Sequence, residues 1–218
     1  CLVVMSGGQD STTCLFKALK EYDHVEAVSF NYKQKHAVEL EKAKSICDNV
    51  PVKLTEVDIS FLNFMGNSSL TGNGGSVLVC NRNALFLTIA HGMAQNIGAD
   101  EVLAGMCQGD FSGFTDCRES FIKSLEDTLN MGYDSNVRFV TPLMHKTKAE
   151  TFELADELGI LDIILHSTHT CYEGVDDRSN DWGKGCGVCA SCDVRRKGWE
   201  SFIQQKLTDD ADNDQITA

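Results

Sequence analysis

Two groups of residues have the types and spacing to do chemistry. The first is Met5-Ser6-Gly7-Gly8-Gln9-Asp10-Ser11-Thr12-Thr13, which begins at the end of the apolar run Leu2–Met5. Paired glycines let the backbone turn sharply and approach a ligand closely. A helix beginning near Asp10 would aim free N–H groups and its positive dipole end at that turn. The hydroxyls of Ser6, Ser11, Thr12 and Thr13 add donors, so the stretch is suited to hold phosphate. Asp10 beside an anion either caps the helix or holds a Mg²⁺ that bridges to phosphate. No lysine follows the glycines and G-x-G-x-x-G is absent, which excludes the Walker loop and the dinucleotide fingerprint. An ordinary Gly-Gly turn with an Asp cap is the alternative.

The second group is Cys171, Cys186, Cys189 and Cys192, the last three spaced C-x-x-C-x-x-C. Thiolates in such turns suit tetrahedral Zn²⁺, and four of them close its coordination sphere, leaving a structural rather than a catalytic role. An iron–sulfur cluster is the rival, because clusters use the same spacing. His169 is an alternative ligand. The remaining cysteines of the ten are scattered, and a disulfide-stapled secreted scaffold would be smaller and more evenly studded.

The charge balance narrows the partners. Lys and Arg number 19 against 32 Asp and Glu, a net charge of −13. That opposes a broad, stable nucleic-acid surface, which works by neutralising phosphates, yet leaves room for a small basic pocket. No run approaches the ~18 apolar residues that cross a bilayer. A cytoplasmic protein without membrane contact is expected. The chain opens inside an apparent strand, so residues are expected to precede Cys1.

The elements that must position these groups follow from an apolar period that alternates between strand and helix. Strands are predicted at Leu2–Met5, Val25–Asn31, Val52–Asp58, Glu101–Gly105 and Val137–Pro142. Helices are predicted at Ser11–Tyr22, His36–Asp48 (with Glu39 and Lys42 on its outer face), Asn81–Gln95, Cys117–Leu129, Lys146–Leu158 and Asp193–Gln205. Asn67–Ser76 reads as a long loop, and Thr208–Ala218 as a solvated or disordered acidic tail. The alternation implies an α/β fold: a doubly wound, mostly parallel sheet with a C-terminal zinc-binding segment of four cysteines. The expected division is 1–165 for the nucleotide-binding domain, 166–206 for the zinc segment with its helix, and 207–218 for the tail. Ligands in such sheets sit at the carboxyl ends of strands. The phosphate turn, the end of strand two, Gly105 and Pro142 should therefore meet in one cleft.

Ser6–Ser11 resembles the SGGxDS loop of the PP-loop ATP pyrophosphatases, also called adenine nucleotide α-hydrolases. That resemblance implies their Rossmann-like fold and cleavage of ATP between the α and β phosphates, with a substrate oxygen activated as its adenylate. Three further stretches narrow it. Tyr32-Lys33-Gln34-Lys35-His36 is similar to Y-G-Q-[RK]-H. Asp110–Arg118 (DFSGFTDCR) is similar to D-[FY]-S-G-Y-P-D-C-R. Thr170-Cys171-Tyr172 with Gly185–Cys192 is similar to T-C-Y…G-C-G-x-C-x-x-C. Together they resemble the 7-cyano-7-deazaguanine (preQ0) synthase family over Leu2 to about Phe202. Lys33 stands where the family has glycine, Cys80 replaces a proline, and Phe114-Thr115 replace Tyr-Pro. The segment between Cys171 and Cys186 is longer than usual.

The resemblance implies an ATP-dependent ligase that converts 7-carboxy-7-deazaguanine and ammonia to the nitrile through adenylate and amide intermediates. Its cofactors would be ATP, Mg²⁺ and structural Zn²⁺. Met5 through Thr13 and Arg82 would hold ATP, and Asp10, Ser11, Lys148 and Arg118 would carry the reaction. Arg118 suits a bidentate grip on the substrate carboxylate, and Asp110 or Asp116 would accept hydrogen bonds from the guanine-like edge. His36 is a candidate base and Cys117 a candidate nucleophile. The alternatives are a paralogue that stops at 7-amido-7-deazaguanine and another PP-loop tRNA-modifying enzyme. The oligomeric state is open, a homodimer among the options.

Overall fold

The computed structural model describes residues 1–33, 38–64, 81–108 and 115–216. Asp110, His36 and the Asn67–Ser76 loop lie outside the described residues. Five strands form the main sheet: β1 (Leu2–Val4), β2 (Glu26–Asn31), β3 (Lys53–Asp58), β4 (Glu101–Ala104) and β5 (Arg138–Val140), in the order β3-β2-β1-β4-β5. Every pairing in it is parallel. The predicted doubly wound sheet is therefore present, and the order reverses at β1, where β2 lies on one side and β4 on the other. That reversal opens a crevice at the strands' carboxyl ends.

Strand β1 is apolar throughout because both of its faces are covered. Leu2 points to a core shared with α3 (Arg82–Ile97) and α4 (Glu119–Tyr133), alongside Val28, Leu87, Ala90 and Ile122. Val3 and Met5 point to the opposite core, with Leu15 and Ala18 of α1 (Gln9–Glu21) and Ala43 and Ile46 of α2 (Val38–Asp48). A third cluster joins α5 (Lys148–Glu157), α6 (Leu161–Ser167) and α7 (Ala190–Ile216) through Phe152, Ile164, Trp199 and Phe202. The Phe152 ring meets the Trp199 ring edge-on at 5.2 Å.

Three features depart from the sequence reading. Helix α6 follows α5 directly after Gly159, whose φ of +71° turns the chain. The longer segment between Cys171 and Cys186 folds into a hairpin, β6 (Ser179–Asn180) against β7 (Gly183–Lys184). The acidic stretch after Thr208, expected to be solvated or disordered, continues the backbone of α7 to Ile216. Among the described residues no helix is long and apolar enough to cross a membrane.

Candidate active site

The crevice is a cavity of about 340 Å³, within the range of small-molecule sites. Its walls come from the ends of β1 (Met5, Ser6), β2 (Phe30, Tyr32) and β4 (Gly105, Cys107), the starts of α1, α3 and α5, and the cysteine-rich segment. The predicted meeting of strand ends is observed, with Lys148 rather than Pro142 representing the chain after β5.

The phosphate loop is stitched by its own hydroxyls. Ser11 Oγ donates to the Gly8 carbonyl at 3.2 Å, accepts from the Ser6 amide at 3.2 Å, and lies 3.1 Å from Ser6 Oγ. Gly7 has φ +84°, and a Cβ there would stand 2.2 Å from the Glu39 carbonyl oxygen, so α2 packs directly on the turn. A Cβ on Gly105 would come within 2.9 Å of the Ser11 nitrogen, so β4 presses equally close to the start of α1. The helix begins at Gln9, with Gly8 as an N-cap lacking a side-chain cap bond. Asp10 is therefore not the cap. Its carboxylate instead receives Lys148 Nζ at 2.8 and 2.9 Å. Lys148 is placed by a capping box in which Thr147 accepts from the Glu150 N–H and Glu150 reaches back to the Thr147 N–H. Two helix N-termini thus converge on one ion pair at the cavity wall. Gln9 is 2% exposed, and neither atom of its amide finds a hydrogen-bond partner among the described residues. Such unmet capacity fits a loop that tightens around a polar ligand. Met5 and Ser6 line the cavity with Gly8 to Ser11, whereas Thr12 and Thr13 turn into the protein, where Thr13 bonds the Gln9 carbonyl.

Arg82 opens α3 and lines the cavity, its guanidinium 5.9 Å above the Phe86 ring. It also faces the Tyr32 hydroxyl, whose pKa burial raises and Arg82 partly restores. The residues expected to bind the base are placed differently. Asp116 is half-buried and accepts from the Asn83 N–H at 3.4 Å, serving an α3 N-terminus that lacks a side-chain cap of its own. Arg118 is exposed at the N-cap of α4 and does not line the cavity. Its position before α4 turns it to solvent, so the proposed grip on a substrate carboxylate does not fit this geometry. Cys117 does line the cavity, 3.3 Å from Asn83 Nδ2, with burial and then Asp116 pushing its thiol up to about 11.

Arg195 and Glu39 are functional candidates that sequence reasoning missed. Arg195 is 1% exposed, with Nε on the Trp182 carbonyl (2.9 Å), Nη2 on the Ile164 carbonyl (2.6 Å) and Nη1 on Thr170 Oγ1 (2.9 Å). Among the described residues it has no carboxylate within ion-pair distance, and burial pulls it down to about 10. It lines the cavity and faces the cysteine cluster. Glu39, expected on the outer face of α2, lines the cavity instead.

The four predicted cysteine ligands come together, with all Sγ atoms within 4.8 Å of one another. Cys171–Cys189 and Cys186–Cys192 stand 4.0 and 3.9 Å apart, near the ~3.8 Å edge of a tetrahedron with ~2.3 Å metal–sulfur bonds. The spacing fits one ion, whereas a multi-iron cluster would hold the sulfurs further apart. The Val188 and Cys189 N–H groups donate to Cys186 Sγ at 3.4 and 3.3 Å. His169 is not a fifth candidate: it is fully buried, with Nε2 3.0 Å from the Cys171 carbonyl and Nδ1 3.5 Å from Asp176. Asp176 also pairs with Lys42 at 2.8 Å. The His169 N–H donates to the Gly7 carbonyl at 3.0 Å, so the cysteine segment is bonded directly to the phosphate loop.

Comparison with known proteins agrees with this architecture. Residues 1–203 match the family model described as "Queuosine biosynthesis protein QueC". The chain is 42% identical to a 7-cyano-7-deazaguanine synthase of Wolinella succinogenes, covering 92% of each chain. It is 41% identical to one of Helicobacter acinonychis, covering 93% of this chain and 96% of the relative. Two solved structures share the fold. A 4-thiouridine synthetase in complex with RNA and bound ATP has TM-score 0.51 and 19% identity, covering 93% of this chain and 53% of that one. The NMN synthetase of Francisella tularensis has TM-score 0.54 and 17% identity, covering 83% and 69%. With a parallel α/β sheet, a Gly-Gly turn at its switch point, four converging cysteines and a family match over nearly its whole length, the chain belongs to the QueC family of queuosine biosynthesis proteins.

Proposed function

We propose that this chain catalyses the ATP-dependent conversion of 7-carboxy-7-deazaguanine and ammonia to 7-cyano-7-deazaguanine. The observation that carries the reading is a single cavity lined both by the Ser6–Ser11 loop and by the aromatic side chains of Phe30, Tyr32, Phe86 and Tyr172, in a chain whose relatives bear that enzyme's name. A carboxylate oxygen of the base attacks the α-phosphorus of ATP and pyrophosphate leaves. Ammonia adds to the acyl carbon, AMP leaves with the oxygen, and a proton is lost, giving the amide. The amide oxygen attacks a second ATP in the same way. Departure of AMP and loss of two protons then leave the nitrile. Two activations are needed because an amide oxygen is a poor leaving group.

Negative charge builds on phosphate oxygens in each activation, so fixed cations and N–H groups do most of the work. Ser6, Gly7, Gly8 and Ser11 are proposed to cradle the pyrophosphate portion from the start of α1. Lys148 and Arg195 stand at the same wall as cations, and Lys148 can exchange Asp10 for a phosphate oxygen as ligand binds. Asp10 would then hold Mg²⁺, which would shield the phosphates; one carboxylate with phosphate and water ligands is an ordinary set for that ion. Arg82, rather than Arg118, is the guanidinium that the substrate base can reach. The four thiolates are proposed to hold Zn²⁺ in a closed site, fixing the segment that carries His169 and Arg195 against the loop. A small-molecule substrate accords with the net charge of −13.

The test is mass spectrometry after incubation with the carboxy base, ATP and ammonium. The nitrile is expected, one water lighter than the amide. Asp10→Ala and Ser11→Ala should abolish release of AMP and pyrophosphate while circular dichroism is unchanged. Undiminished turnover in both would refute the phosphate-loop assignment.

A further inference from the structure

The cavity wall holds an acidic group that the proposed phosphate chemistry does not use. Glu39, in the first turn of α2, lines the wall beside Tyr32, Arg82, Phe86 and Tyr172. Its carboxylate lies within the electrostatic reach of the Arg82 guanidinium and of the Tyr32 and Tyr172 hydroxyls, without an ion pair to Arg82 among the described contacts. No hydrogen bond reaches it from any described residue. Partial burial pushes its carboxyl up to about 7, with Arg82 opposing. The neighbouring walls are flat: Phe30 and Phe86 stack at 4.5 Å with 11° between their planes, and Tyr32 leans on Phe86 at 5.9 Å.

A negative group here repels phosphate, so its natural complement is a planar ligand with N–H donors. A guanine-type edge presents an O6 acceptor followed by two adjacent donors, N1–H and the 2-amino group. A carboxylate accepts from both donors at once, and a neighbouring guanidinium supplies the donor that O6 needs. Adenine offers one amino group beside a ring-nitrogen acceptor and would leave one carboxylate oxygen unmet. We propose that Glu39, with Arg82 beside it, reads the N1–H and 2-amino edge of a guanine-type substrate base. The inference rests on the base named under the proposed function and adds the residue that selects it.

The test compares 7-carboxy-7-deazaguanine with its 2-deamino analogue in the full-length chain and in Glu39→Gln. The wild type should prefer the amino base in kcat/KM by roughly 10²-fold, the scale of a hydrogen bond to a charged group. Glu39→Gln should lower kcat/KM for the amino base by a similar factor and bring the two bases within a few-fold. The KM for ATP should move less than about threefold. A preference that survives in Glu39→Gln overturns the proposal, as does a raised KM for ATP with an unchanged KM for the base, which would mean that Glu39 reads adenine. A wild type that converts neither base fails the functional reading instead. Calorimetric binding of 7-carboxy-7-deazaguanine to both forms then decides on Glu39: weaker binding to Glu39→Gln supports it and equal binding overturns it.

Discussion

Gly198→Ala tests how the ion pair at the phosphate loop is held, through a residue that touches no ligand. Gly198 is buried in α7 against the first residue of α5. An alanine Cβ would stand 2.5 Å from Lys148 Cγ, 2.6 Å from Lys148 Cβ and 3.1 Å from its backbone carbonyl carbon. Carbon atoms pack at about 3.5–4.0 Å, so the overlap is roughly 1 Å. It falls on the root of the side chain, not its flexible end. Either α7 retreats from α5 or Lys148 leaves its rotamer, and both shift Nζ away from Asp10. Overpacking of this kind costs about 1–3 kcal/mol, while replacing a mid-helix glycine returns up to ~1 kcal/mol. The net loss of ~0–2 kcal/mol lowers Tm by a few degrees in a chain of this size. The activity change should be larger, because one charge-assisted contact is lost: roughly 10–150-fold in kcat/KM, read as pyrophosphate release at varied ATP. In a Lys148→Met background the same glycine change should cost little further activity, since both act through one side chain. Wild-type kcat/KM together with a raised Tm would refute the reasoning, leaving only the helix-propensity gain.

Other outcomes are open to direct measurement. Glu39 ionises near its ordinary 4.5 in the unfolded chain and near 7 in the folded one. The folded state is therefore penalised as pH rises from 4.5, by about 1.4 kcal/mol per unit, levelling above pH 7 at roughly 3 kcal/mol. Without ligands, Glu39→Gln should match wild type in Tm at pH 4.5 and exceed it by several degrees at pH 8; a difference that does not change with pH would contradict this. Lys33 sits at φ +54°, a conformation that costs a side-chain-bearing residue about 1–2 kcal/mol. Lys33→Gly should stabilise by roughly 0.5–1 kcal/mol after glycine's extra unfolded entropy, while Lys33→Ala should not, as denaturant titration will show. Elemental analysis should find one zinc per chain without visible absorbance. Chelation should expose Trp182, now 5% exposed over the cluster, and shift its fluorescence to the red.

What was legible in the sequence was local. The phosphate turn is a contiguous stretch whose glycines and hydroxyls act on one another, and the cysteine ligands announce themselves by spacing. The capping box of α5 is likewise contained in Thr147-Lys148-Ala149-Glu150. What failed depended on where a helix faces. Charges at Glu39 and Lys42 suggested a solvated surface, but α2 sits so close to Gly7 that both turn inward. Arg118 had the right chemistry and the right neighbours in the chain, yet α4 begins just after it and directs it outward. Arg195 lies in the basic run Arg195-Arg196-Lys197, where only tertiary structure separates the buried guanidinium from Arg196, which pairs with Asp193 and Glu200 on the surface. The β6–β7 hairpin has two-residue strands, too short to show any period. Lys33 is the reverse case, a departure from the family pattern whose meaning appeared only with its positive φ.

The hydrogen bond from the His169 N–H to the Gly7 carbonyl also sets an order of events during synthesis. Gly7 leaves the ribosome roughly 160 residues before its partner, an interval of about 8–30 s at ordinary elongation rates. Through that time β1, its turn and α1 can fold, but the wall that carries His169, Arg195 and the cysteines does not yet exist. A nascent chain would therefore hold an unfinished cavity and, on the proposed function, would not yet turn over ATP. Because the finishing segment brings the four cysteine sulfurs together, the proposed metal would bind only at the end of translation, and the site would be completed then.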